Sequence, residues 1–158
     1  MVLVLLGEIR RRLSSTFQVL KYLLHGQRET VSSIEIKGDK NFCEAVKKAL
    51  LVLNERDPLS FNLANQQLDL IIQSGETLLS PSRWGVALSL ETKDVGDTSQ
   101  EWLACLLACE SFRAKLYQDY LRDHKECLKV PKAVYYGENA WDFMYICLKN
   151  IGGSYEEL

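Results

Sequence analysis

Histidine is scarce in this 158-residue chain, which contains only His25 and His124. A zinc site of the His-Glu-x-x-His type needs two histidines one helical turn apart, so the inventory alone excludes it. The chain also lacks a glycine-rich phosphate loop, a dinucleotide-binding glycine pattern and the motif around a serine nucleophile. The sequence therefore carries none of the common signatures of nucleotide-binding proteins, serine hydrolases or two-histidine metalloproteases.

The chain also lacks a large excess of charge of either sign. Its 19 Lys and Arg and 21 Asp and Glu residues give a net charge of −2, which offers no general attraction to nucleic acid or anionic membranes. The one run of three basic residues, at 10–12, is typical of the solvated face of a helix. We therefore expect that the chain binds neither nucleic acid nor membranes. We expect its partner to be a protein, which the sequence does not identify.

Long apolar runs are absent from the N-terminal region. The first run covers only residues 2–6 and charges follow at once, which is too short for a signal-peptide core or a bilayer span. The cysteines are odd in number and form no tight framework, a pattern that favours reduced, buried thiols and a cytoplasmic location. They are Cys43, Cys105, Cys109, Cys127 and Cys147.

The length of 158 residues predicts a single domain over 1–158. Hydrophobic periodicity predicts that this domain is of the α+β class and predominantly helical, with an amphipathic helical arm over 1–26. Thr98 and Glu101 form a predicted capping box at the start of a long helix. The predicted helices are 4–25, 41–56, 58–73, about 98–122 and 138–151, and the predicted strands are 31–37 and 84–92.

The long helix begins with eight consecutive apolar residues, WLACLLAC, at 102–109. Such a segment is apolar on all faces and is normally surrounded by protein. Glu110 follows it directly, and a carboxylate there needs a partner. Arg113 lies three positions later on the same face. We therefore expect Glu110 to be at least partly buried and within salt-bridge distance of Arg113 or another basic residue.

This helix resembles the metal-binding helix of small bacterial zincin-like, or metallopeptidase-like, domains. The resemblance is carried by the pattern W-x-A-x-x-x-A-x-E-x-x-x-x-K-L-Y at 102–117, in whose frame those domains hold a His-Asp/Glu-x-x-His core. SSIEIKGDKNFCEAVKKALLVL, a tryptophan-containing stretch before the long helix and KNIGG are similar as well. The resemblance covers about residues 31–153 and implies a zincin-like core with a long central helix and a small strand component.

Two ligand positions depart from the family pattern. Cys109 and Arg113 stand where the two histidine ligands would be, and Glu110 stands where the catalytic acid would be. Arginine stays protonated and has no lone pair for a metal. Glu138 or Asp142 are the counterparts of a third ligand. The resemblance thus implies a degenerate, non-catalytic domain that holds no cofactor and has a structural or protein-interaction role, with a Glu110–Arg113 ion pair replacing the charge of the metal.

Three alternatives remain open. The first is a metal-dependent hydrolase or peptidase in which Cys109 binds zinc and Glu110 is the base. Its remaining ligands would come from His124, Glu138 or Asp142. The second is a structural zinc or redox site, and the third is an α+β domain unrelated to zincins. The residues of the zinc or redox site would be Cys105, Cys109, His124 and Cys127.

The predicted arm has apolar residues spaced three and four apart, which place one stripe on an amphipathic helix. Residues 4–25 are therefore a possible surface for homo-oligomer formation or for a partner, and they are equally compatible with packing on the domain. The stripe consists of Leu6, Ile9, Leu13, Phe17, Leu20 and Leu24.

Overall fold

A computed structural model of the chain describes residues 2–96, 98–125 and 130–152, with side chains from residue 12 onward. Within these residues the chain forms a predominantly helical α+β domain with one five-stranded sheet, which confirms the predicted fold class. The strands are β1 (Gln27–Val31), β2 (Ile34–Gly38), β3 (Leu68–Ser74), β4 (Leu78–Pro81) and β5 (Val86–Glu91). The helices are α1 (Val2–His25), α2 (Lys40–Arg56), α3 (Pro58–Gln67), α4 (Lys93–Gly96), α5 (Gln100–Asp123), α6 (Lys132–Tyr135) and α7 (Glu138–Ile151).

The sheet is mixed, with strand order β1-β2-β3-β5-β4. β2, β3 and β5 are parallel, and β1 and β4 add antiparallel strands at the two edges. In the parallel centre Ile71 lies opposite Ile36 on one side and Leu88 on the other. All three side chains are fully buried, and the carboxyl ends of the three parallel strands meet at one edge of the sheet.

The prediction of one helix over 58–73 is wrong in its second half. α3 ends at Gln67, and the next seven residues form β3, the central strand. The run Leu70, Ile71 and Ile72 has no alternation, because a central parallel strand is covered on both faces. A short apolar run of this kind fits a buried helix as well as a buried strand. The edge strands β1 and β4 were also not predicted.

Side-chain caps fix the starts of the main helices. Asp39 caps α2 by accepting a hydrogen bond from the Phe42 N–H at 2.9 Å, and it follows directly from the end of β2. The cap of α5 is Ser99, which accepts from the Trp102 N–H at 3.1 Å. The predicted Thr98–Glu101 capping box is therefore wrong: the cap lies one residue later, and Thr98 donates to the Asp94 carbonyl.

α5 is the central helix and contacts α2, α3, α6 and α7. Leu103 and Leu107 are fully buried, whereas Trp102 and Leu106 are only half-buried at its side. Two further tryptophans, Trp84 and Trp141, are exposed. The apolar run is thus enclosed by neighbouring helices over most of its circumference, although not over all of it.

α1 contacts the sheet through β3 and, to a lesser extent, β2. α1 meets β3 at the carboxyl end of the strand. There the hydroxyl oxygens of Ser15 and Ser74 are buried and hydrogen-bonded to each other at 2.8 Å. Among the described residues no helix combines the length and the apolar character that crossing a membrane requires.

Candidate functional site

Glu110 and Arg113 form a buried ion pair within α5. Their side chains are 2% and 6% exposed, and Nη1 of Arg113 donates a hydrogen bond to Oε1 of Glu110. The i, i+3 spacing puts both on the face of α5 that contacts α6 and α7, where water is excluded. Glu110 is therefore buried and paired with Arg113, the arrangement expected from its place after the apolar run.

Aromatic rings cover the guanidinium of Arg113. Its central carbon lies 4.6 Å from the ring centre of Tyr136 and 5.3 Å from that of Trp141. Both distances are within the range of cation–π attraction. Nε of Arg113 is buried and has no hydrogen-bond partner within the described part of the chain. Arg113 is thus held by one carboxylate and two aromatic faces.

Burial dominates the proton affinities at this site. It raises the pKa of the Glu110 carboxyl above its ordinary value, and the charge of Arg113 opposes this shift. Burial also raises the pKa of the Cys109 thiol to about 12, again with Arg113 acting in the opposite direction. The pKa values of Tyr135 and Tyr136 are raised first by burial, and the Glu110 charge contributes to both shifts. Burial therefore favours the uncharged forms of Cys109, Tyr135 and Tyr136. Glu110 and Arg113 differ from them because each lies next to a side chain of opposite charge.

The residues suggested as metal ligands are not brought together. Cys109 is fully buried beside the ion pair, whereas Glu138 and Asp142 are both exposed on the first turns of α7. In the described ranges no three His, Cys, Asp or Glu side chains form a group that could hold a metal ion. The replacement of a metal by the ion pair stays a prediction.

The alternative zinc or redox site is spread along the chain. His124 is exposed just after the end of α5 and stacks on Tyr120, with 4.1 Å between ring centres. It therefore lies about 22 Å from Cys109 along the helix axis. Cys127 lies outside the described residues. Cys105 instead faces Cys147 of α7, and hydrogen bonding between these two thiols is the main reason that the pKa of Cys147 is raised.

A polar cavity of about 470 Å³ lies at the carboxyl ends of the parallel strands. This is the usual position of ligand sites in parallel sheets, and the volume is typical of small-molecule sites. Oε1 of Gln100 is buried and, among the described residues, has no hydrogen-bond partner. The polar side chains of the lining are Asp39, Asn41, Gln73, Thr92, Thr98 and Gln100.

Gln73 forms the floor of this cavity and is almost completely buried. Its Nε2 donates to Oδ2 of Asp39 at 2.9 Å and to Oγ1 of Thr92 at 3.2 Å, and its Oε1 accepts from the Asp39 N–H at 2.7 Å. This network was not predicted, because Gln73 lies in β3 and not, as the apolar pattern indicated, at the end of a helix. The Gly38-Asp39 turn after a predicted strand was the one signal that pointed to this edge of the sheet.

Comparisons with known proteins leave the resemblance to zincin-like domains untested. Neither a protein-family model, nor a curated protein, nor a solved structure matches this chain.

Proposed function

We propose that this chain is a non-catalytic, degenerate zincin-like domain with a structural or protein-interaction role. The observation that carries the proposal is the buried Glu110–Arg113 pair. It lies at the positions that the resemblance assigns to the catalytic acid and the second ligand. A guanidinium is protonated at all physiological pH values. It supplies a fixed positive charge next to Glu110, where a metal ion would supply one in an active relative.

The surroundings of Glu110 support a role in stability over a role in catalysis. A general base must reach a water molecule or a substrate proton at hydrogen-bond distance. Glu110 is 2% exposed and its carboxylate is bonded to Arg113. The rings of Tyr136 and Trp141 cover Arg113 from outside. Separation of this pair would leave two buried charges without partners.

The surface of α1 supports the protein-interaction role. Five of its large apolar side chains are exposed, and exposed apolar patches mark interaction sites more often than inert surface.

The cysteines bear on the location of the protein. Four of them are free and buried: Cys43, Cys105, Cys109 and Cys147. Since reduced thiols persist in the cytosol, we also place the protein in the cytoplasm.

The first test is the metal content of protein purified without an affinity tag, measured by elemental mass spectrometry. We expect no stoichiometric zinc and no chelator-sensitive cleavage of unfolded protein substrates. One zinc per chain together with cleavage that disappears in Glu110→Gln would establish the alternative, a metal-dependent peptidase with unusual ligands.

A second variant tests the relation to zincins directly. The double substitution Cys109→His, Arg113→His restores both family ligand positions on α5. If α5 occupies the position of a metal-binding helix, the folded double variant gains zinc binding that the parent lacks. A variant that keeps the parent's circular dichroism spectrum and still binds no zinc would contradict the zincin-like assignment.

A further inference from the structure

α1 turns its apolar side away from the domain. The residues that touch the domain lie on one line of the helix and are at least half-buried: Ser15, Gln18, Val19 and Tyr22. The outer stripe consists of Leu13, Phe17, Leu20 and Leu24, with exposures of 66%, 70%, 52% and 67%. At 3.6 residues per turn the two lines lie about 180° apart. The sequence predicts this stripe but does not predict that it points away from the domain. Within the described residues, the apolar side chains of the stripe have no partner.

The sequence of α1 carries a heptad repeat in the same register as the outer stripe. Leucine occupies every d position, and three of the four a positions are apolar as well. This repeat spans about three heptads, and it is the sequence pattern of a coiled-coil seam. The d positions are Leu6, Leu13 and Leu20, and the a positions are Leu3, Arg10, Phe17 and Leu24.

The positions beside the seam are compatible with a second copy of the same helix. In coiled coils the e and g positions face the partner, and like charges there prevent self-pairing. In α1 these positions hold a single charge, Lys21. Two copies therefore present no rows of like charge to each other. The e and g positions are Gly7, Ser14 and Lys21, and Val2, Ile9, Thr16 and Leu23.

Charge disfavours an anionic membrane as the occupant. α1 holds four of the chain's Lys and Arg residues and one acidic residue, so its net charge is +3 and that of the remaining chain is −5. A membrane-bound amphipathic helix leaves its polar face in water. Here the face with Ser15 and Gln18 packs on the domain, so that an acidic body would be brought against acidic lipids.

We propose that the outer stripe of α1 binds the α1 helix of a second copy of this chain, so that the protein is a homodimer held by a short coiled coil. This inference rests on the proposed interaction role and names its partner. A two-fold symmetric pair buries the same stripe from both copies, and such dimers are the commonest soluble oligomers. Arg10, the single polar a residue, limits the affinity and restricts register.

The test is sedimentation equilibrium of the full chain over a wide concentration series. The parent is expected to show a monomer–dimer equilibrium. Leu20→Glu places a charge in the seam and raises the dissociation constant at least about thirtyfold. The matched control, Leu59→Glu, makes the same substitution at a leucine of α3 that is 80% exposed and lies outside the stripe, and it changes the dissociation constant by less than about fivefold.

A third variant guards against loss of folding. Arg10→Leu completes the seam and lowers the dissociation constant about tenfold, an effect that a misfolded protein cannot produce. A parent that stays monomeric at every concentration refutes the dimer. Equal effects of Leu20→Glu and Leu59→Glu also refute it. Stripe-dependent binding of the monomer to phosphatidylserine vesicles would assign the stripe to a membrane instead. None of these results bears on metal content, and zinc-dependent cleavage by a dimer would refute the proposed function alone.

Discussion

Replacement of Arg113 by methionine tests the buried ion pair most directly. The substitution keeps a long side chain against Tyr136 and Trp141 but leaves the Glu110 carboxylate buried without a counter-charge. Removal of one partner of a buried pair costs about 3–5 kcal/mol in the free energy of unfolding. The double variant Glu110→Leu, Arg113→Met removes both charges, so its cost is expected to stay below about 2 kcal/mol.

The pH dependence of this variant has a definite sign. Without the opposing charge of Arg113, burial raises the pKa of Glu110 further in the folded state. The folded state then binds the proton more tightly than the unfolded state, so stability falls as pH rises through the interval between the two pKa values. Arg113→Met is therefore less destabilised at about pH 5 than at about pH 8.

Urea unfolding of the parent, both single variants and the double variant, at both pH values, measures these quantities as a double-mutant cycle. Tryptophan fluorescence is a suitable probe, since Trp141 lies beside Arg113. A cost of less than about 1 kcal/mol for Arg113→Met would refute the reasoning. Simple additivity of the two single substitutions would refute it as well.

Two further predictions concern the packing and capping of the domain. Leu107→Ala removes a fully buried side chain of α5 and is expected to cost about 2–5 kcal/mol, whereas Leu106→Ala, at a half-buried position, costs less. Equal midpoints of the two variants in urea would contradict this ranking. Asp57→Ala removes the acceptor that caps α3 and bonds the Ser60 hydroxyl at 2.6 Å, so the expected loss is about 1–2 kcal/mol. An unchanged thermal midpoint would show that this cap contributes nothing.

The helices could be predicted where periodicity and caps agreed. The Asp57-Pro58 pair gave the start of α3 correctly, because a side-chain acceptor followed by proline is a strong local signal. β3 could not be recognised, since its apolar run depends on helices and strands that cover it from both sides. The short edge strand β4 has no strong alternation, and it forms only because β5 offers a free edge.

Only the local part of the candidate site could be predicted from the sequence. The Glu110–Arg113 contact is local, three residues apart on one helix, and the sequence suffices to predict it. The rings of Tyr136 and Trp141 reach Arg113 only through the packing of α6 and α7 on α5. The direction of the α1 stripe likewise depends on which face of α1 meets β3. Tertiary contacts such as the Ser15–Ser74 hydrogen bond determine which face of α1 packs on the sheet.

The parallel centre of the sheet also governs the order of folding. Ile71 pairs with Ile36, from which it is separated by all of α2 and α3, and with Leu88, from which it is separated by β4. Closing such long loops costs chain entropy before any contact offsets it. Because α2, α3 and the β4–β5 hairpin rest on local contacts, we expect them to form early. We expect β3 to complete the sheet late and its pairing to limit the folding rate, which φ-values below about 0.3 for Ile71→Val would show.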